Sequence, residues 1–301
     1  MTSLHRPRLL AAGETMAMIA PVVAEPFETA VAFRVEAGGA ESNVAVHAAA
    51  LGVSARWFSR LGEDAIGRRV VRQLKGRGVD VRDVVLDPAR PTGVYVKDPG
   101  RAVGYYRRGS AASHLSPNDA LRLDLAWADV LHLSGITPAL SASAARFVDH
   151  AILRARAAGV AVSFDVNHRP ALWGWSEAAR ALAPLARRAD VVFVGQDEAE
   201  RLWGVRTPEE VRALFPDVPE LVVKDADVGA TVFSRDGQVF EASRAVEVVE
   251  PVGAGDAFAG GYLAARLSHA PLAERLRAGH ERAAATLATT SDFPDREKDT
   301  A

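Results

Sequence analysis

Glu250-Pro251-Val252-Gly253-Ala254-Gly255-Asp256-Ala257-Phe258-Ala259-Gly260-Gly261-Tyr262-Leu263 is the stretch whose reading decides the fold. Ala245 to Val249, just before it, has the composition of a strand, and from Asp256 onward the Ala- and Leu-rich sequence reads as a long helix. Gly253, Ala254 and Gly255 then fill a strand-to-helix turn. Small residues there leave backbone N–H groups uncovered at the positive end of the helix dipole, a place to hold an anion. Asp256 adds a carboxylate, so one site offers phosphate stabilisation and a proton acceptor. An Asp that merely caps a glycine-rich connection fits the same letters.

Working outward, Val130 to Ser134, Val160 to Asp165, Val191 to Val194 and Leu221 to Lys224 read as short apolar strands. Helical segments at about 141–158, 177–188 and 197–202 separate them. This alternation predicts an α/β fold, a mostly parallel sheet with helices on both faces. Ligands in such sheets sit beyond the carboxyl ends of the strands. The candidates are therefore Gly38-Gly39, Ser134 to Ile136, Asp165 to Arg169, Gln196 to Glu198, Lys224 to Gly229, and Gly253 to Asp256. Nearer the N-terminus, Leu9 to Ile19 reads as a first buried strand, and Gly38 to Asn43 as a turn into a helix over Val44 to Leu51. Thr92 to Lys97 and Ala102 to Arg108 flank Asp98-Pro99-Gly100 as a hairpin. The expectation is one domain over residues 1–301, with lid strands at about 20–36 and 92–108.

Composition removes several function classes. A net charge of −2 gives no global field to recruit nucleic acid or an anionic membrane. The absence of cysteine excludes disulfides, thiol catalysis and thiolate metal sites. Met1 to Arg8 is short and polar, with no apolar run of signal or membrane length, so a cytoplasmic protein is expected. The histidines show no metal-site spacing.

Jointly the strand ends offer an anion hole (Gly253 to Gly255), a base (Asp256), a carboxylate suited to Mg²⁺ or its waters (Glu198) and a cation (Lys224) before a turn ending at Gly229. Phosphoryl transfer needs those parts and little covalent chemistry. No Gly-x-x-x-x-Gly-Lys-Ser/Thr occurs, no protein-kinase His-Arg-Asp set, and no Gly-x-Gly-x-x-Gly after the first strand.

Gly38-Gly39 with Asn43, and Gly253-Ala254-Gly255-Asp256 far downstream, resemble the two signatures of the ribokinase-like carbohydrate kinases, the PfkB family, over about residues 8–295. Gly38 to His47, Tyr105 to Ala111, His132 to Pro138 and Asp165 to Arg169 are most similar to its 2-keto-3-deoxygluconate kinases. The resemblance implies a ribokinase-like sheet with a small β-sheet lid, ATP and Mg²⁺ as cofactors with a monovalent cation as accessory, and transfer to the terminal hydroxyl of a keto-deoxy sugar acid. It makes Asp256 the base and places Gly38, Gly39, Asn43, Tyr95, Tyr105, Tyr106, Arg107, Ile136, Arg169 and Asp292 about the sugar. Asn167, Arg169, Lys224, Gly229, Gly253, Gly255 and His280 fall on the nucleotide side, and Glu198 approaches the metal through water. The chemistry agrees: guanidinium groups pair with carboxylates, so Arg107 and Arg169 suit an acid better than a neutral sugar. Tyr105 and Tyr106 alternate faces, so only one can enter a given pocket.

Five positions depart from the family pattern: Glu250 for Asp or Asn, Ala226 for Gly, His280 for Asn, Gly195 for Asn or Ser, and a missing glycine before Asp292. They bear on nucleotide binding. Another PfkB sugar kinase such as a fructokinase, and a non-catalytic sugar or nucleotide sensor of the same fold, are the alternatives; an NAD-dependent oxidoreductase is a third. An exposed lid edge predicts a homo-oligomer, a dimer or higher.

Overall fold

The computed structural model describes residues 6–23, 25–98, 100–101, 103–289 and 293. In order, the first part of the chain forms β1 (Arg8–Ala12), β2 (Met16–Pro21), β3 (Phe33–Gly38), α1 (Ala40–Ala50), β4 (Ser54–Phe58), β5 (Arg60–Gly62), α2 (Ala65–Gly76), β6 (Val85–Asp87), β7 (Val94–Val96) and β8 (Gly104–Tyr106). Then follow α3 (Pro117–Ala120), β9 (Val130–Ser134), α4 (Ile136–Ala139), α5 (Ala142–Ala157), β10 (Ala161–Asp165), α6 (Trp175–Ala186), β11 (Val191–Gly195) and α7 (Gln196–Trp203). The last elements are α8 (Pro208–Leu214), β12 (Glu220–Asp225), β13 (Gly229–Ser234), β14 (Gly237–Ala242), α9 (Ala254–Leu267) and α10 (Leu272–Leu287).

Continuous apolar strands such as Val191-Val192-Phe193-Val194 can be stable only when both faces of the sheet are covered. That is what they form. The main sheet runs β14-β13-β12-β11-β10-β9-β1-β4, parallel throughout except for the antiparallel β12–β13 and β13–β14 pairs. Alternate residues enter opposite layers: Leu10, Leu131, Val192 and Leu221 pack with Phe147 and Leu182 on one side. Leu9, Val130, Phe193 and Val222 pack with Val44, Tyr262 and Leu276 on the other. A second sheet, β3-β2-β7-β8, forms the lid. No helix among the described residues is long and apolar enough to cross a membrane.

Two strand expectations change. Leu9 to Ile19 is two strands in two sheets, with Gly13-Glu14-Thr15 crossing between them, so the lid begins at Met16. The polar Glu14 inside an apolar run is the local sign of that break. Residues 245–249 form no strand. Among the described residues β14 is the edge of the sheet and the segment does not add to it; β propensity expresses fit to a pleated, half-buried surface, and this segment is mostly exposed. The segment crosses the outside instead, with Val248 and Val249 more than half exposed and Val249 N–H bonded to the Leu287 carbonyl at 2.8 Å.

Candidate active site

Gly253 caps α9 in the left-handed region, φ 88°, which glycine adopts without a Cβ penalty. The motif's later glycines serve packing. A Cβ at Gly260 would lie 2.6 Å from the Cβ of His47 on α1, and one at Gly261 would lie 2.3 Å from the Ala278 carbonyl oxygen on α10. The pair thus lets α9 lie tightly between both helices. One consequence is chemical: Asn43, on α1, donates from Nδ2 to Asp256 Oδ2 at 2.9 Å.

Asn167, just beyond β10, donates to the other oxygen, Oδ1, at 3.2 Å. It does so from a left-handed backbone, φ 41°, which Asn tolerates better than most side chains. Asp256 is 7% exposed. Two amides from distant segments therefore fix the carboxylate beside the first turn of α9. The two sequence signatures meet at this one side chain.

On the lid side, Tyr95 is buried and its ring centroid lies 5.9 Å from that of Tyr105. Side chains at Gly38 and Gly39 would meet the Tyr95 hydroxyl and the Glu14 carbonyl oxygen at 2.2 and 2.3 Å respectively. Tyr106, one residue along β8, is 71% exposed and stands outside this wall, as strand alternation requires. Arg107 forms an ion pair with the buried Glu14, which also accepts from Ser110 Oγ at 3.2 Å. Arg169, half-buried at the end of β10, donates to its neighbour's carbonyl, His168 O, at 3.1 Å and pairs with no acid among the described residues. Ile136 opens α4, its N–H held by Ser134 Oγ at 3.2 Å. Asp292 lies outside the described residues.

Glu41, within the first signature, is fully buried and accepts from Ser134 Oγ at 2.7 Å and Thr137 Oγ1 at 2.8 Å. Burial pushes its carboxyl up to about 7 despite those hydroxyls. Sequence reasoning missed Glu14 and Glu41 as parts of the site, because the burial of a lone acid is set by distant segments.

Near the carboxyl end of β12, Lys224 Nζ donates to Asp165 Oδ2 at 2.9 Å. Burial opposes the lysine's charge, but the carboxylates of Asp165, Glu198 and Asp256 outweigh it and hold the ammonium above its ordinary range. Glu198 is pushed up by burial first and then by the charge of Asp165. Its two oxygens accept from His168 N–H at 2.8 Å and Gly195 N–H at 2.9 Å, capping α7. Ala226, in the turn after β12, has φ 34°, in the left-handed region that favours glycine. A cleft of about 680 Å³ beside these residues is lined by Gly229, Val248, Gly255, Phe258, His280 and Leu287. Burial lowers the His280 imidazole pKa; its Nε2 lies 3.1 Å from the Glu241 carbonyl oxygen and its ring 5.1 Å from that of Phe258.

Does this set fit a magnesium ion? Among the described residues no three His, Cys, Asp or Glu side chains cluster as a full metal cage. Mg²⁺ does not need one, since it keeps several waters and takes one or two carboxylates beside substrate phosphates. Asp165 Oδ1 is buried without a hydrogen-bond partner, and each Glu198 oxygen has lone pairs beyond its backbone bond. The donors fit a hydrated Mg²⁺.

Residues 6–297 match the pfkB family carbohydrate kinases. A relative from Thermoproteus tenax, a 2-dehydro-3-deoxygluconokinase, is 39% identical over 86% of this chain and 82% of its own length. Another of the same name, from Bacillus subtilis, is 34% identical over 95% and 92%. The crystal structure of a PfkB protein from Polaromonas sp. JS666 superposes with a TM-score of 0.86 at 35% identity, covering 95% of this chain and 97% of that one. With two distant signatures converging on Asp256 and family similarity along nearly its whole length, the chain belongs to the pfkB family of carbohydrate kinases.

Proposed function

We propose that this kinase transfers the γ-phosphoryl group of ATP to the terminal hydroxyl of 2-keto-3-deoxygluconate (2-dehydro-3-deoxygluconate). The observation that carries the reaction is Asp256, gripped by Asn43 and Asn167 at the glycine-rich start of α9. The substrate class rests on the similarity to kinases of that sugar acid and on Arg169, a guanidinium with no acid paired to it among the described residues.

In this reading Arg169 receives the substrate carboxylate, with Arg107 adding donors from the lid, while Tyr95 and Tyr105 pack on the carbon chain. Asn43 and Asn167 hold Asp256 so that one oxygen faces the hydroxyl. An alcohol is too weak an acid to be ionised in advance. Its proton therefore moves to Asp256 late, as the oxygen–phosphorus bond forms and the bond from phosphorus to the ADP oxygen breaks. The N–H groups at Gly253 to Gly255 stabilise the charge on the phosphoryl oxygens. Lys224, kept charged by its acids, faces the phosphates, and the apolar cleft at Phe258, His280 and Leu287 takes the base. Mg²⁺, which Asp165 and, through water, Glu198 would hold, supplies charge neutralisation between the phosphates when bound.

An ADP-release assay against keto-deoxy sugar acids and neutral ketohexoses tests the substrate. Turnover is expected to favour 2-keto-3-deoxygluconate; a preference for fructose would make the protein a fructokinase instead. Pairing of two chains through the lid is a further part of the proposal, since Tyr106 on β8 and Val22 and Val23 just after β2 are largely exposed.

A further inference from the structure

Glu250 stands at the entrance to the glycine turn, and its two oxygens reach different parts of the molecule. Oε1 accepts from the Val252 N–H at 3.2 Å, shaping the turn that enters Gly253. Oε2 lies 3.6 Å from Nζ of Lys97, which follows β7 in the lid. Lys97 is only 7% exposed, and a charge so withdrawn from water is tolerable only beside an opposite one. One side chain thus joins the sheet that covers the sugar to the loop that meets the phosphates. An Asp is shorter by one methylene, about 1.5 Å, so it would keep the cap on Val252 and lose Lys97.

We propose that Lys97 and Glu250 are positioning residues that couple the two halves of the cleft, so that sugar held under the lid draws the Gly253–Gly255 turn into its phosphate-binding position. Linkage makes the effect reciprocal: sugar tightens ATP binding and ATP tightens sugar binding by the same factor. The inference goes beyond the proposed substrate and holds for whichever sugar is phosphorylated.

The test measures the KM for ATP at low and at saturating sugar, using the acceptor that the wild type turns over best. In the wild type KM for ATP is expected to fall about 5-fold or more as sugar saturates. In Glu250→Asp, Glu250→Gln and Lys97→Met that fall shrinks to less than about 2-fold, and exchanging the charges in Lys97→Glu/Glu250→Lys restores part of it. A merely structural contact would lower thermal stability in the variants and leave the sugar dependence of KM intact. The proposal is overturned if the wild type shows no such dependence, if Glu250→Asp retains it, or if the exchanged pair is no better than the single variants. Glu250→Asp keeps the cap on Val252, so it decides the matter even where Glu250→Gln or Lys97→Met fails to fold.

Discussion

Around Asp256 and the smaller sheet, Glu14, Asn43, Asn167 and Asp256 are buried and tied to one another or to their neighbours by hydrogen bonds and an ion pair. In a second region Val228, in the turn between β12 and β13, and Val248 and Val249, in the connection from β14 to α9, are 55%, 56% and 53% exposed. The first region is assembled from segments far apart in sequence, and the Asp256 carboxylate is placed by amides from two of them. The second presents apolar surface with few internal partners. Reaction geometry needs groups fixed before the substrate arrives, because positioning and oriented dipoles supply most of phosphoryl-transfer catalysis. A flat, apolar base, which the proposed function places at the second region, would ask mainly for surface to cover.

Four variants press on this contrast, in decreasing order of effect. Asp256→Asn is expected to lower kcat by about 10²- to 10⁴-fold in the ADP-release assay, the usual contribution of a positioned base. A near-normal kcat would mean that the interlocked end is scaffolding alone. Arg169→Ala should raise the KM for 2-keto-3-deoxygluconate by about 10- to 100-fold, as the loss of a charged hydrogen bond worth roughly 1.5–3 kcal/mol implies, with little change for a neutral ketohexose. Equal effects on both sugars would remove the carboxylate from the account.

Glu41→Gln tests whether the first region carries a burial cost. The Glu41 carboxyl is raised from 4.5 to about 7 in the folded protein, so its stabilisation is complete below pH 4.5 and is lost as pH rises through about 7. Denaturant titrations at pH 5 and pH 8 should show the wild type losing roughly 1–3 kcal/mol more than Glu41→Gln over that interval. Parallel pH profiles would show that the acid is not held neutral. Smallest is Ala226→Gly. Relief of a left-handed Ala should add about 0.5–1 kcal/mol of stability, after the extra freedom glycine brings to the unfolded chain, and should lower the KM for ATP. If stability falls, the turn carries no strain.

Much of this was legible without coordinates where the signal is local. The period of the apolar runs showed parallel strands with both faces covered, and the small residues ahead of Asp256 marked a helix start. Alternation along β8 separated Tyr105 from Tyr106. Local signals also misled: Ala245 to Val249 has strand composition, yet its residues are mostly exposed and it lacks the half-buried surface that such composition fits. Leu9 to Ile19 read as one strand because apolar composition does not reveal which sheet each half joins.

The sequence by itself determined the class of chemistry, that of a carbohydrate kinase, since small residues, an acid and cations at strand ends are properties of residue type and spacing. Only the tertiary structure decided which groups touch. Gly260 and Gly261 bring α1 and α10 against α9, and that contact delivers Asn43 to Asp256 from 213 residues away. Burial decided the partners of the charges in the same way: Arg107 faces Glu14, and Lys97 reaches Glu250 across the cleft. A charge's partner depends on what desolvates it, and desolvation is a property of the packed molecule, which no stretch of sequence holds alone.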